Sequence, residues 1–139
     1  MNKENLEFFK ELAKRTVYAW ESMDIKKVAE FFSKEPDLIY FDAAPLKYTG
    51  WQSYEEGSTL NFAKRFTHQK FWFYDDFVIR YNDNMAFAAF TIHLDVTPAR
   101  DDKIDADGRV TMIWEKKGND WLIVHEHLSI PGTLPPIVD

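Results

Sequence analysis

The side chains most suited to chemistry in this sequence are carboxylates and imidazoles. Segment 120–129 alternates in polarity as a β-strand does, and Glu126 falls in a row whose other members are apolar: Leu122, Val124 and Leu128. We expect Glu126 and Asp42, which ends the short predicted strand 37–42, both to face inward. Two close carboxylates split their proton affinities, leaving one base and one group that keeps its proton near neutral pH. Alternatively, Asp42 caps a turn and Glu126 pairs with an Arg or Lys at the rim.

Histidines supply the second candidate chemistry. His125 and His127 share the other face of the same strand, and His93 lies on a neighbouring predicted strand with the same outward parity. Converging imidazoles could bind zinc or another divalent ion, although such sites usually need a third firm ligand and a pocket. We therefore predict no metal and no other cofactor, and keep a metal-dependent activity of His125 and His127 as an alternative.

Composition excludes several other classes of function. The chain has 139 residues, which fits a single domain over 1–139, and its net charge of −6 disfavours nucleic-acid binding. It has no cysteine, no G-x-S-x-G motif and no glycine-rich phosphate loop. No apolar run is long enough to span a membrane, and the N-terminal residues lack a secretory pattern, so we expect a cytoplasmic protein without membrane partners.

The predicted elements place helices first and strands afterwards. Helical spacing of apolar residues predicts a helix over 4–21, and Asp24 can cap a second one. Ser53-x-x-Glu56 has the form of a capping box and predicts a third helix that ends near Thr67. Alternation then predicts strands over 70–81, 85–97, 108–116 and 120–129. This order is typical of an α+β fold with an antiparallel sheet.

Strand alternation also predicts which face of the sheet the helices cover. The inward rows should be those whose members are mostly apolar: Ala88, Phe90, Ile92, Leu94 and Val96, then Val110, Met112 and Trp114, then Leu122, Val124, Glu126 and Leu128. The outward rows carry Arg109, Thr111 and the histidines. In the run 71–74 one set of rings should be core, which leaves Trp72 and Tyr74 as an unusually apolar outer patch.

The C-terminal segment WLIVHEHLSIP (121–131), preceded by Arg109-Val110-Thr111 and a glycine-containing turn, resembles the closing strands of SnoaL-like proteins. These belong to the nuclear-transport-factor-2-like (NTF2-like) superfamily, which includes ketosteroid isomerase. The same ending is similar to the association domain of calcium/calmodulin-dependent protein kinase II. The resemblance implies a cone-shaped α+β fold, in which three N-terminal helices pack on a curved, mostly antiparallel sheet around a pocket. It also implies that the first strand lies beside the last, which would make Asp42 and Glu126 neighbours.

The resemblance implies possible site residues as well. Asp42 matches the proton-shuttling carboxylate of ketosteroid isomerase, whereas the oxyanion-donor positions of that enzyme fall near Thr16 and Met112, and a thioether cannot donate a hydrogen bond. We therefore do not expect true ketosteroid isomerase activity. The residues predicted to line the pocket, beside the two carboxylates, are Thr16, Trp20, Tyr40, Trp51, Tyr54, Phe90, Ile92, Met112, Trp114 and Val124.

A fold of this kind hosts many activities, so two functions stay open. One is a small-molecule-binding domain with a non-catalytic binding or assembly role, which we favour slightly. The other is a proton-transfer enzyme (isomerase, cyclase or dehydratase type) that uses Asp42 as general base on a small apolar substrate. In either case the resemblance implies a homodimer through the outer sheet face. The residues predicted for that interface are Trp72, Tyr74, His93, Arg109, Thr111, His125 and His127.

Overall fold

The computed structural model describes residues 4–138; residues 1–3 and 139 of the predicted domain lie outside the described range. Its helices are α1 (Leu6–Glu21), α2 (Ile25–Ala29) and α3 (Trp51–Leu60), and α3 continues as a π-helical segment (Asn61–Arg65). Its strands are β1 (Ile39–Tyr40), β2 (Tyr48–Thr49), β3 (Phe66–Phe73), β4 (Val78–Tyr81), β5 (Met85–Pro98), β6 (Ile104–Lys117) and β7 (Asp120–Ser129). The predicted α+β class with three helices on an antiparallel sheet is confirmed. None of the described helices is long and apolar enough to cross a membrane.

Side-chain caps start the first two helices. The Asn5 side chain accepts a hydrogen bond from the Phe8 amide at 2.8 Å, and Asp24 accepts one from the Lys26 amide at 3.0 Å. The predicted cap at Asp24 is therefore confirmed. Burial of one stripe, which includes Phe9, Ala13 and Val17, then fixes α1 against the sheet.

The third helix does not begin at the predicted capping box. It begins at Trp51 after Gly50, which has a φ of 79° and offers no side-chain cap, so Ser53 lies inside the helix. A Cβ on Gly50 would lie 2.8 Å from the Pro36 carbonyl oxygen. The segment between α2 and β1, to which Pro36 belongs, therefore sets the start of α3 by its close approach, and the local sequence pattern does not.

The main sheet has the order β3–β5–β6–β7, with β4 also paired to β5. The predicted strand 70–81 is in fact two strands, β3 and β4, that pair with successive stretches of β5. Between them Asp75 adopts a φ of 60°, and the Asp76 carboxylate accepts a hydrogen bond from the Thr91 amide at 2.8 Å. The Asp76 side chain thus takes the place of a backbone hydrogen-bond partner of β5 between the two strands. The alternation of polar and apolar residues does not reveal such a break.

A β-bulge in β7 changes the predicted faces of its first half. Ile113 pairs with His125, but Trp114 pairs with Ile123, so Val124 is an extra residue in the ladder. Trp121 and Ile123 consequently face the helices, with exposed fractions of 6% and 0%, although simple alternation predicted them to face outward. After the bulge the prediction holds, because Glu126 is buried and its neighbours His125 and His127 face the other side.

The chain after β1 runs parallel to β7. The Phe41 amide donates to the Glu126 carbonyl and the Leu128 amide donates to the Phe41 carbonyl, each at 2.9 Å. This pairing lays Asp42 alongside the strand that carries Glu126, as expected from the resemblance.

The helix-covered face of the sheet divides into two halves. Over one half the helices pack directly on the strands, and the buried residues there are Ala86, Ala88, Phe90, Met112, Trp114, Trp121 and Ile123. Phe9 of α1 contacts the rings of Trp114 and Trp121 with centroid distances of 5.8 and 5.0 Å. Over the other half the layers separate and leave a cavity, so the core and the candidate site share one sheet.

Candidate functional site

A cavity of about 680 Å³ lies between the helical layer and the far half of the sheet. Most of its wall is apolar, and the strand residues that contribute to it are Phe66, Phe71, Ile92, Leu94, Val96, Ile104, Val110 and Leu128. Its size and apolar wall are typical of a site for a small organic molecule. Two carboxyl groups, Asp42 and Glu126, lie on the same wall.

Glu126 is almost completely buried, with an exposed fraction of 4%. Among residues 4–138, its Oε2 atom has no hydrogen-bond partner. Burial, and secondly the negative charge of Asp42, raise the pKa of Glu126 to about 8, while the Trp20 indole acts in the opposite direction. At neutral pH Glu126 is therefore mostly a protonated carboxylic acid.

Asp42 is held by two donors. Its Oδ1 accepts a hydrogen bond from the Ala43 amide at 2.7 Å, and its Oδ2 accepts one from the Tyr54 hydroxyl at 3.0 Å. Burial raises the pKa of Asp42, and both donors oppose that rise because they stabilise the carboxylate. The hydrogen bond from the Ala43 amide matches the alternative prediction that Asp42 caps a turn. The same carboxyl group nevertheless also lies on the cavity wall.

The two carboxyl groups therefore differ in the protonation state that their surroundings favour. Donors stabilise charge on Asp42, whereas a bare oxygen in an apolar wall disfavours charge on Glu126. Such a pair can accept a proton at one group and donate a proton from the other. The alternative in which Glu126 pairs with a rim Arg or Lys has no such contact among residues 4–138.

The predicted lining residues divide between the cavity and the core. Trp20, Tyr54 and Ile92 lie on the cavity wall. The structure places the other seven away from it: Thr16, Tyr40, Trp51, Phe90, Met112, Trp114 and Val124. The reason is the division of the sheet, since alternation shows which face is covered but not where along a strand the helices lift away.

The rings of Tyr40 and Trp51 belong to a buried aromatic cluster that packs beside Tyr54. Tyr40 stacks on Tyr54 with centroids 5.1 Å apart, and its hydroxyl donates to the Ser33 carbonyl at 3.2 Å. Trp51 stacks on Phe32 with centroids 4.9 Å apart. These contacts hold Tyr54 in the position from which it donates to Asp42.

Neither position aligned with the oxyanion donors of ketosteroid isomerase donates into the cavity. The Thr16 hydroxyl donates to the Leu12 carbonyl at 2.8 Å and is fully buried, as is Met112. An oxyanion formed on a substrate in the cavity could therefore receive a proton or a hydrogen bond only from other residues of the wall. Glu126, whose pKa is raised to about 8, is one such residue.

Several polar wall residues were not predicted from the sequence. They lie on β2, α3, the π-helical segment and β3: Tyr48, Ser58, Asn61, Arg65 and Gln69. Tyr54, Ser58 and Phe62 recur at a spacing of four, so helical periodicity through 54–65 could have indicated this face. Burial and the Asp42 charge raise the pKa of Tyr48, while Arg65 opposes them.

The residues predicted for an interface do not lie on the cavity wall. Phe41 contacts the rings of His125 and His127, with centroid distances of 5.3 and 5.5 Å. His125 Nδ1 lies 2.6 Å from the Ile39 carbonyl oxygen, and Arg109 Nε donates to Ser129 Oγ at 3.1 Å.

His93 does not join these histidines. It lies on β5, where its ring contacts Trp72 and its nitrogens contact Asp105 and Asp107. Hydrogen bonds to these two carboxylates raise the pKa of His93, that of Asp107 being the larger cause. Within residues 4–138 no three His, Asp or Glu side chains are grouped as a metal site requires.

Comparisons with known proteins agree with this architecture. An NTF2-like superfamily protein from Salmonella enterica subsp. enterica serovar Typhimurium str. LT2 has a TM-score of 0.82 at 22% identity, over 93% of this chain and 92% of that chain. A candidate calcium/calmodulin-dependent protein kinase II association domain from Xanthomonas campestris has a TM-score of 0.77 at 19% identity, over 95% and 91%. A ketosteroid isomerase-like protein from Erwinia carotovora atroseptica SCRI1043 has a TM-score of 0.77 at 15% identity, over 95% and 100%.

At these identities the solved structures show a shared fold and no shared activity. No curated protein matches the sequence. The sequence model of the SnoaL-like domain matches residues 10–133, which include both cavity carboxylates and every helix and strand except the first residues of α1. The chain therefore belongs to the SnoaL-like domain family, and its fold is the one found in the NTF2-like protein from Salmonella.

Proposed function

We propose that this protein binds a small, largely apolar organic molecule in the cavity and transfers a proton on it. Asp42 is the general base and Glu126 the general acid. The observation that carries the proposal is the unequal environment of two carboxyl groups on one apolar wall, one with two donors and one with a bare oxygen. This observation moves our preference from binding alone to proton-transfer chemistry.

The proposed reaction needs a substrate with an acidic C–H bond next to a carbonyl group, and for a dehydration also a hydroxyl group on the carbon beyond that bond. The Asp42 carboxylate would take the proton from carbon, and the Glu126 carboxylic acid would donate its proton to the substrate oxygen. In an isomerisation Asp42 returns its proton to another carbon while the enol oxygen returns its proton to Glu126, which restores both groups. In a dehydration Glu126 instead donates its proton to the hydroxyl group, which leaves as water, and the proton gained by Asp42 then passes to Glu126 through solvent. The ketosteroid isomerase-like name of one structural relative supports this class, although the oxyanion donors here would differ.

The experiment uses 2-tetralone as the probe, because it is a largely apolar ketone with acidic α-protons. We expect the protein to accelerate exchange of its α-protons in D2O, as followed by proton NMR. Asp42→Asn should slow the catalysed exchange by about 10²-fold, which is the lower end for loss of a general base. Asp83→Asn, in the exposed turn before β5, is the matched control and should leave the rate unchanged.

Two outcomes of this experiment would contradict the proposal. If 2-tetralone binds but its protons exchange no faster than in buffer, the cavity binds ligands without catalysis, which is the second candidate function. If exchange is accelerated equally by the wild type and Asp42→Asn, the base is another group.

We also propose that the protein forms a homodimer through the outer sheet face. Trp72 and Tyr74 expose 43% and 53% of their surface, and the Tyr74 hydroxyl donates to Asp107 at 2.5 Å. Exposed aromatic clusters of this kind are typical of protein interfaces. The association-domain name of the Xanthomonas relative supports an assembly role. The cytoplasmic location stays a prediction.

A further inference from the structure

Arg65 is the single basic side chain on the cavity wall among the described residues. It ends the π-helical segment that follows α3, and its carbonyl accepts a hydrogen bond from the Ala99 amide at 2.8 Å. π-Helical turns occur frequently at functional sites because they change the direction of side chains within a helix. Here the segment brings Asn61 and Arg65 to the same cavity wall.

The Asn61 side chain fixes the orientation of the guanidinium group. Arg65 Nη1 donates to Asn61 Oδ1 at 2.7 Å, which uses one of five N–H donors. No carboxylate among residues 4–138 lies within 4.0 Å of Arg65, and neither cavity acid neutralises it. An oriented guanidinium with unused donors suits bidentate contact with a planar anion.

Arg65 brings the opposite charge to the wall that carries the two acids. Burial and the charge of Asp42 raise the pKa of Tyr48, on the same wall, whereas the charge of Arg65 lowers it. The protein carries a net charge of −6, which repels anions from most of its surface. A local cation is therefore required wherever an anionic ligand is to be held.

We propose that Arg65 binds a carboxylate group of the cavity's ligand, which makes the ligand class an apolar acid whose body reaches towards Asp42 and Glu126. This inference rests on the proposed function, because it names the ligand of the same cavity. The carboxylate of the ligand stays at the mouth of the cavity, where Arg65 is exposed. The apolar body of the ligand contacts the strand residues of the cavity wall.

The test compares 2-naphthoate with 2-naphthamide, its uncharged counterpart, by calorimetric or fluorescence titration at neutral pH. We expect the wild type to bind 2-naphthoate about tenfold more tightly than 2-naphthamide, since charge-assisted hydrogen bonds are stronger than neutral ones. Arg65→Gln should remove this preference and leave the affinity for 2-naphthamide unchanged. Lys64→Gln removes the same charge from an exposed residue off the cavity wall and should keep the preference.

Each other outcome overturns the inference in a recognisable way. If the wild type binds both probes equally, or if the preference for 2-naphthoate survives Arg65→Gln, Arg65 does not bind a carboxylate. In either case, binding of 2-naphthamide would still show that the cavity takes an apolar ligand. Failure of both probes to bind would count against the ligand class and the cavity together. The exchange experiment with neutral 2-tetralone is independent of Arg65, so it separates failure of the proposed chemistry from failure of this inference.

Discussion

At the scale of single residues, the cavity shows how neighbours give two carboxyl groups different roles. Tyr54 and the Ala43 amide both donate to Asp42, while Glu126 Oε2 meets no donor among residues 4–138. Removal of water raises both pKa values. The Ala43 amide and the Tyr54 hydroxyl oppose the rise at Asp42, whereas the Trp20 indole alone opposes it at Glu126. The distribution of donors, and not the residue types, distinguishes the proposed base from the proposed acid.

The raised pKa of Glu126 predicts a pH-dependent stability. Between the ordinary value of 4.5 and about 8, the unfolded chain releases this proton and the folded protein keeps it. The folded state is therefore penalised progressively as the pH rises through that window, and the penalty is absent below it. We expect the wild type to lose about 3 kcal/mol relative to Glu126→Gln between pH 5 and pH 8.

Denaturant unfolding of both proteins at each pH measures this difference. Groups such as His93, whose pKa is also raised, titrate alike in the two proteins and cancel in the comparison. Carbon-13 NMR of the Glu126 carboxyl provides the independent check on its titration. Parallel stability curves for the wild type and Glu126→Gln across the window would show that Glu126 is not held protonated.

The sequence made Glu126 conspicuous because it is the one acid on an apolar row, and the structure places it on the cavity wall. Asp42 came from the family resemblance, since nothing in its own segment separates a base from a turn cap. Arg65 had only the helical periodicity through 54–65 as a signal, and an arginine at a predicted helix end is usually a solvated side chain. Its role depends on the π-helical turn and on the distance between layers, which are tertiary properties.

At the scale of elements, strand alternation predicted the faces of β5 and β6 correctly and those of the first half of β7 wrongly, and it missed the first four residues of β6, which begins at Ile104 and not at 108. In β5 and β6 polar and apolar residues alternate, so only one register buries the apolar row. In β7 Leu122, Ile123 and Val124 are all apolar, and either face could bury them. Pairing with β6 inserts the bulge there, and a local pattern cannot show it.

The start of α3 gives the prediction at this scale. Gly50→Ala should destabilise the protein by about 2 kcal/mol, because a side chain at positive φ is strained and its Cβ would contact the Pro36 carbonyl. Gly132→Ala, where a Cβ would meet nothing within 4 Å, is the control. Thermal and denaturant unfolding measure both variants, and equal stabilities would show that Gly50 does not fix the start of the helix.

At the scale of the whole molecule, one sheet carries both a packed aromatic core and an open cavity. The half beneath α1 and α2 is filled by rings, among them Phe9, Trp114 and Trp121. The half beneath α3 and its π-helical extension holds the carboxylates and Arg65. The packed half can supply stability while the other half stays unfilled, so a site of about 680 Å³ is compatible with a chain of 139 residues.

The proposed dimer gives the prediction for the whole molecule. We expect a mass of two chains in analytical ultracentrifugation at micromolar concentration, and Trp72→Glu should convert the dimer to monomer by placing a charge in the outer aromatic patch. Leu6→Glu changes an apolar residue on α1 that is exposed to 55%, against 43% for Trp72, and should leave the mass unchanged. A monomeric wild type, or a dimer indifferent to Trp72→Glu, would contradict an interface on this face.

The single additional residue at Val124 makes the last strand behave as two short segments joined end to end. Trp121, ahead of the junction, packs against Phe9 of α1, and Glu126 and Leu128, beyond it, lie on the cavity wall. Substitutions of Glu126 or Leu128 can therefore alter the cavity wall without weakening the contact with α1. Deleting Val124 would make Ile123 and His125 adjacent, so regular alternation would keep Trp121 and Ile123 facing the helices and His125 facing away, and only the bulge would be lost.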